Sequence, residues 1–132
     1  MLRELLNIIR SVDPLREMSE NFAEMIRIAR KLTIEAGDAF FDSSRQLEAC
    51  GRIHDEDAQI NGLQKRIRSQ ITEHLSTAGN YPHLPYCLLL IGLVKDVERI
   101  GDYAKNLCDV RDFCSCDLPA DRLLGELWEI RL

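Results

Sequence analysis

Apolar residues recur every three or four positions along most of this 132-residue chain, which is the spacing that places side chains on one face of an α-helix. Three long segments follow this pattern, and their opposite faces are rich in charged residues. The apolar positions are Leu15, Met18, Phe22, Met25, Ile26, Ala29, Leu32, Ala36 and Phe40 in the first segment, Ile53, Ile60, Leu63, Ile67, Ile71, Leu75 and Ala78 in the second, and Leu90, Leu93, Val97, Ile100, Ala104, Leu107 and Cys108 in the third. The pattern predicts an all-α fold in which three long amphipathic helices pack their apolar faces together.

Residues that stop or start helices separate these segments. Asp13-Pro14 supplies an N-cap and a proline at the first helical position, Asp42-Ser43-Ser44 is a short polar connection, and Gly79-Asn80-Tyr81-Pro82 combines a glycine C-cap with a following proline. We therefore predict a single domain over 1-132, with helices at about 2-11, 14-41, 44-78, 84-113 and 119-131, of which the first and last are short and amphipathic. No stop signal precedes Leu132, so the sequence is also compatible with a fragment of a longer chain.

Composition narrows the functional classes. The net charge of −5 argues against nucleic acid or an anionic membrane surface as the partner. The longest apolar run, Cys87 to Val94, is far shorter than the roughly 20 residues that a membrane-spanning helix needs. We therefore expect no membrane insertion and a cytoplasmic location.

The chain contains five cysteines, which are Cys50, Cys87, Cys108, Cys114 and Cys116. Their number is odd, and their spacing is not that of a paired zinc site. Together with the expected cytoplasmic location, this predicts reduced thiols. The only close pair, Cys114 and Cys116, is interpreted as incidental residues at a helix end.

The most specific chemistry lies in the third helix, where Glu98, Asp102 and Asp109 fall on a narrow stripe opposite the apolar arc. Like charges four residues apart destabilise a helix, so Glu98 and Asp102 need a counter-ion. Lys95 and Lys105, each three residues from one of these acids, could supply it. A bound cation could supply it equally well, and the residues alone leave both alternatives open.

Asp57 is the informative acid of the second helix, because it lies at the edge of the apolar arc. A carboxylate at the edge of a core is most often paired with an arginine or lysine. The alternatives are metal ligation and a polar contact with the third helix.

Motifs of the common enzyme classes are absent from the sequence. A ferritin-like di-iron site needs a glutamate three residues before a ligand histidine, and none of His54, His74 and His83 has one. The sequence also lacks a glycine-rich phosphate loop, G-x-S-x-G and H-E-x-x-H. The sequence therefore gives no candidate catalytic residue of these classes.

The run Asp96-Val97-Glu98-Arg99-Ile100-Gly101-Asp102, followed by Ala104 and Asn106, resembles the "LERIGD" signature of the PhoU family of bacterial phosphate-signalling proteins. The segment Asp57-Ala58-Gln59-Ile60-Asn61-Gly62-Leu63, then Ile67 and the apolar run over 84-94, keep the order and spacing of that family. The resemblance covers roughly 18-113.

This resemblance implies an up-down three-helix bundle, usually present twice in one chain, with acidic motifs on its surface that bind metal ions. By position, Glu98 and Asp102 are the expected metal ligands of the third helix, and Asp57 is the matching acid of the second. Asn61 departs from the family pattern, in which an acid often stands four residues after Asp57. Carboxylate ligands suit hard ions, so the expected metal is iron, manganese, magnesium or calcium.

The function that the resemblance implies is a regulatory adaptor in phosphate signalling and transport, without catalysis. Its expected partners are the phosphate ABC transporter and its sensor histidine kinase, contacted through protein surfaces. Two alternatives remain, namely a cytoplasmic regulatory domain of a sodium/phosphate cotransporter and a metal-binding or storage bundle. Because the sequence holds one bundle where the family often has two, we also predict a homodimer.

Overall fold

The computed structural model describes residues 13–42, 46–113 and 121–130. Its helices are α1 (Pro14–Phe41), α2 (Gln46–Ser76), α3 (Leu84–Phe113) and α4 (Arg122–Ile130), and a single 3₁₀ turn (Tyr81–His83) precedes α3. The described ranges contain no strand, so the all-α prediction is confirmed. The short helix predicted over 2-11 lies outside the described residues.

The three long helices form the bundle that the sequence predicts, because each of α1, α2 and α3 packs against the other two. Short connections between consecutive long helices favour antiparallel neighbours. The core between them consists mainly of aliphatic side chains, and its largest fully buried members are Met18, Met25, Leu32, Ile53, Ile60, Ile67, Ile71 and Val94.

Local sequence sets the ends of the helices. At the start of α1, the Asp13 carboxylate accepts a hydrogen bond of 3.1 Å from the Leu15 backbone N–H, and Pro14 occupies the first turn, where its missing N–H costs nothing. At the end of α2, Gly79 adopts a left-handed φ of 95°, a conformation that favours glycine. The helix therefore ends at Ser76, and Ala78, predicted as a core residue, is exposed beyond it.

Three other residues of the predicted apolar faces are also exposed, namely Ile26 on α1 and Leu93 and Ile100 on α3. A helix in a three-helix bundle contacts its neighbours through a limited arc. The apolar arcs of α1 and α3 are wider than that contact, so their edge positions extend into solvent.

A disulfide joins Cys50 on α2 to Cys108 on α3, with their Cα atoms 5.8 Å apart. The prediction that all the cysteines are reduced is therefore wrong for this pair. The two residues are 58 positions apart in the sequence, and only the packing of α2 on α3 brings them together. Cys87 is a buried thiol whose pKa is raised by desolvation, which keeps it protonated and weakly nucleophilic. Cys114 and Cys116 lie outside the described residues.

Helix α4 contacts the end of α1 through aromatic rings. The Trp128 and Phe41 rings meet edge to face with their centroids 5.1 Å apart, a geometry that aromatic pairs favour.

Across the described ranges, we find no helix with the length and apolar character needed to span a bilayer.

Candidate functional site

Lys105 lies at the centre of the predicted acidic site. Its Nζ atom donates to Asp57 Oδ2 on α2 and to Asp102 Oδ1 on α3, each at 3.1 Å. Two of the three predicted ligands are therefore brought together, and a lysine of the same chain joins them. We call Asp57, Asp102 and Lys105 the Lys105 clamp.

The clamp is buried at one end and open at the other. Asp57 is only 5% exposed, whereas Lys105 and Asp102 are half-buried. Hydrogen bonds to Asp57, and then to Asp102, raise the pKa of the Lys105 ammonium, because both carboxylates favour its charged form. Lys105 is thus a charged partner for an acid that would be costly to bury alone.

Asn61 completes the environment of Asp57. Its Nδ2 donates to Asp57 Oδ2 at 3.2 Å from one turn along α2. An acid at position 61 would place a second negative charge beside a buried carboxylate, whereas the amide supplies a donor. The departure from the family pattern therefore suits a clamp that contains one buried acid and one lysine.

Gly101 allows α2 and α3 to approach closely at this point. A Cβ atom placed on Gly101 would lie 3.0 Å from Ile60 Cδ1 and 3.2 Å from Asp57 Oδ1. Asp57 Oδ1 is buried and has no hydrogen-bond partner. The glycine of the signature therefore has a packing role, since any side chain here would press on both the core and the clamp.

The rest of the acidic stripe does not converge on the clamp. Asp109 contacts His54 of α2, with 3.2 Å between Oδ1 and Nε2. Glu98 is half-buried, and within the described ranges it makes no hydrogen bond or ion pair. Lys95, the other candidate counter-ion, is exposed and forms an ion pair with neither Glu98 nor Asp102.

The donor set at the clamp fits an ammonium ion. Among the described residues, no group of three or more histidine, cysteine, aspartate or glutamate side chains is placed to hold a metal ion. A metal at Glu98, Asp102 and Asp57 therefore stays a prediction, and the contacts set a condition on it. A metal that used both Asp57 and Asp102 would have to displace Lys105.

Sequence reasoning offered Lys105 only as a partner of Asp102, three residues away. It missed the pairing of Lys105 with Asp57, because these residues lie 48 positions apart on different helices. Two signals pointed toward it, namely the position of Asp57 at the edge of an apolar arc and the need of the α3 acids for a counter-ion. Predicting the pairing itself requires knowledge of the register in which α2 packs against α3.

A second polar cluster, which the sequence did not reveal, connects the end of α2 to the 3₁₀ turn. His74 Nε2 and His83 Nδ1 are 2.8 Å apart, and the two rings are close to parallel. Asn80 Nδ2 lies 3.3 Å from His74 Nδ1 and donates to the His74 carbonyl at 2.9 Å. If Asn80 donates to His74 Nδ1, the His74 proton is on Nε2, from which it is donated to His83.

We expect His83→Ala to lower the free energy of unfolding by about 1 kcal/mol, because the buried His74 ring loses its hydrogen-bond partner. His83→Asn, whose amide oxygen can replace the Nδ1 acceptor, should lose clearly less. Urea denaturation of both variants beside the parent measures the effect. Equal losses in the alanine and asparagine variants would contradict the assignment of the loss to the acceptor at position 83.

The sequence of the three long helices is similar to that of a known protein family and of a known protein. The family model for the PhoU domain matches residues 22–110, from the first third of α1 to the last turn of α3. The phosphate-specific transport system accessory protein PhoU homolog 1 of Thermotoga maritima is 28% identical over 93 residues, which are 70% of this chain and 38% of that protein. The matched region thus spans well under half the length of this relative. No solved structure matches the chain.

The family model covers about two thirds of the chain, including all of α2 and most of α1 and α3. The signature residues from Asp96 to Asp102 lie within it, on α3. The resemblance drawn from the sequence is confirmed, and the chain belongs to the PhoU domain family.

Proposed function

We propose that this chain is a regulatory adaptor of phosphate transport that acts through protein contacts and without catalysis. The observation that carries the proposal is the PhoU domain match across α1, α2 and α3. The name of the Thermotoga maritima relative, an accessory protein of phosphate-specific transport, supports it. The proposed partners are a phosphate ABC transporter and its sensor histidine kinase, and the proposed location is the cytoplasm.

A row of exposed apolar side chains on α3 supports a role in protein contacts. It consists of Leu89, Leu93, Ile100 and Tyr103, which we call the α3 stripe. At 100° per residue these four positions fall within an arc of about 80°. A groove of about 270 Å³ between α1 and α3 continues the stripe on its α1 side, at Thr33 and Ala36. The exposed acid Asp96 lies in the same arc, between Leu93 and Ile100, so the stripe consists of two apolar patches on one helix face. Exposed apolar patches of this kind are typical of interaction sites.

We propose that a second copy of the chain covers the α3 stripe in a homodimer. A two-fold contact places the same surface on both sides, so an apolar stripe of one copy would be buried by the stripe of the other. The opposite side of α3 supports this orientation, because it is already occupied by α2 through the clamp and the disulfide.

Sedimentation equilibrium at micromolar concentration tests the dimer. We expect a dimer for the parent protein and a monomer for Leu93→Lys, because a charge in the centre of the contact must be desolvated. Ile26→Lys is the matched control, since Ile26 on α1 is 44% exposed, close to the 41% of Leu93, and lies outside the stripe. A monomeric parent, or equal sedimentation of the two lysine variants, would count against the proposed contact.

The regulatory role is tested in the organism that encodes the chain. Deleting the gene is expected to change the uptake of radiolabelled phosphate in phosphate-rich relative to phosphate-poor medium, and the parent gene should restore it. The purified protein should also bind the ATPase subunit of the transporter or the cytoplasmic part of the kinase, as measured by biolayer interferometry. Unchanged uptake in both media, together with no binding to either partner, would refute the proposal.

A further inference from the structure

The clamp occupies the place where the family resemblance predicts a metal ion. Asp57 Oδ2 and Asp102 Oδ1 each lie 3.1 Å from Lys105 Nζ. These two oxygens come from different helices and meet at one nitrogen. A divalent ion that bound both would have to lie between them, where the ammonium already is, since hard metal ions bind oxygen at about 2.0–2.6 Å.

Electrostatics explains why a cation is needed at this point whether or not metal is available. Asp57 is 5% exposed, and a carboxylate buried to this extent is costly unless it is paired and hydrogen-bonded. Lys105 supplies that cation from within the same chain. The effective concentration of the ammonium at the site is therefore independent of the metal concentration in solution. A metal ion entering beside it would meet a like charge.

We propose that Lys105 is the resident cation of this site, so that in this chain the acidic positions Asp57 and Asp102 are closed to metal ions while Lys105 is in place. The ion pair between Lys105 and Asp57 therefore joins α2 to α3 whether or not metal ions are present in solution. Glu98, which Lys105 does not contact, stays outside the clamp. Removing the ammonium opens the two carboxylates to a hard metal ion. This inference concerns binding chemistry and stands independently of the proposed regulatory role.

Calorimetric titration with Mn²⁺ tests the proposal on the parent and on Lys105→Met, which keeps an unbranched side chain one atom shorter than lysine and removes the charge. We expect at least about tenfold tighter Mn²⁺ binding by Lys105→Met than by the parent, in the range by which groups around a metal alter its affinity. Lys95→Met is the matched control, because it removes an exposed charge from the same helix and should bind as the parent does. Circular dichroism confirms that each variant is folded.

If Lys105→Met does not fold, the parent protein alone still tests the proposal. Limited acetylation followed by mass spectrometry should modify Lys105 much more slowly than the exposed Lys95, and millimolar Mn²⁺ should leave that difference unchanged. Faster acetylation of Lys105 when Mn²⁺ is added would overturn the proposal. Stoichiometric Mn²⁺ binding by the parent that is lost in Asp102→Asn would also overturn it. In a folded Lys105→Met variant, affinity no higher than that of the parent would overturn it as well.

Discussion

Reduction of the disulfide between Cys50 and Cys108 is expected to lower the free energy of unfolding by about 4 kcal/mol. The two cysteines are separated by 58 positions, so the bridge closes a long loop in the unfolded chain and reduces its conformational entropy. The two Cα atoms are 5.8 Å apart in the folded chain, a separation that is usual for a disulfide. Guanidinium denaturation with and without dithiothreitol measures the difference.

The matched control is the double variant Cys50→Ala/Cys108→Ala. This variant retains Cys87, Cys114 and Cys116. Any effect of the reductant on those cysteines therefore remains, and only its effect on the Cys50–Cys108 bridge is removed. Its stability should not change with dithiothreitol. A parent whose denaturation midpoint is unaffected by reductant, and in which five thiols react before reduction, would contradict the expectation.

The bridge is one of several contacts that join α2 to α3 over two turns of α3. Gly101 lies against Ile60, Lys105 binds Asp57, and Cys108 is bonded to Cys50. At the next position, Asp109 contacts His54. The end of the signature and the residues just after it therefore hold the two helices in one register, while the α3 stripe on another side of the same helix stays exposed. This division suits a rigid domain that presents a contact surface.

The helices were predictable because their signals are local. Asp13 and Pro14 begin α1 through a hydrogen bond and a fixed φ within adjacent residues, and the apolar spacing along each helix follows from its own geometry. The edges of the apolar arcs were less predictable. Leu93 and Ile100 are as apolar as their buried neighbours, and only the positions of α1 and α2 decide that they are exposed.

The candidate site was predictable in part. The signature located the acids on α3, and the position of Asp57 at the edge of an apolar arc showed that it needed a partner. That Lys105 is this partner depends on a contact across 48 residues, and the disulfide depends on one across 58. To predict such pairs, one must know the register in which the two helices pack. The apolar periodicity within each helix carries no information about that register.

Gly101→Leu should destabilise the protein by about 3 kcal/mol or more, because it adds carbon atoms to a closely packed contact. Even the first added atom would lie 3.0 Å from Ile60 Cδ1 and 3.2 Å from Asp57 Oδ1. Gly92→Leu is the matched control on the same helix, since a Cβ there meets nothing within 4 Å. That variant should be unchanged or more stable by up to about 1 kcal/mol, the gain in helix propensity over glycine.

A double-mutant cycle separates packing from helix propensity at this contact. Ile60→Val removes the Cδ1 atom that stands 3.0 Å from the added Cβ, so Gly101→Ala should cost at least about 1 kcal/mol less in the Ile60→Val background than in the parent. Urea denaturation of the four proteins gives the coupling energy. Additive effects would mean that Ile60 moves aside freely, and the glycine of the signature would then need an explanation other than the approach of α2. A coupling of the expected size would instead show that Gly101 is required because the two helices that carry the clamp meet there without room for a side chain.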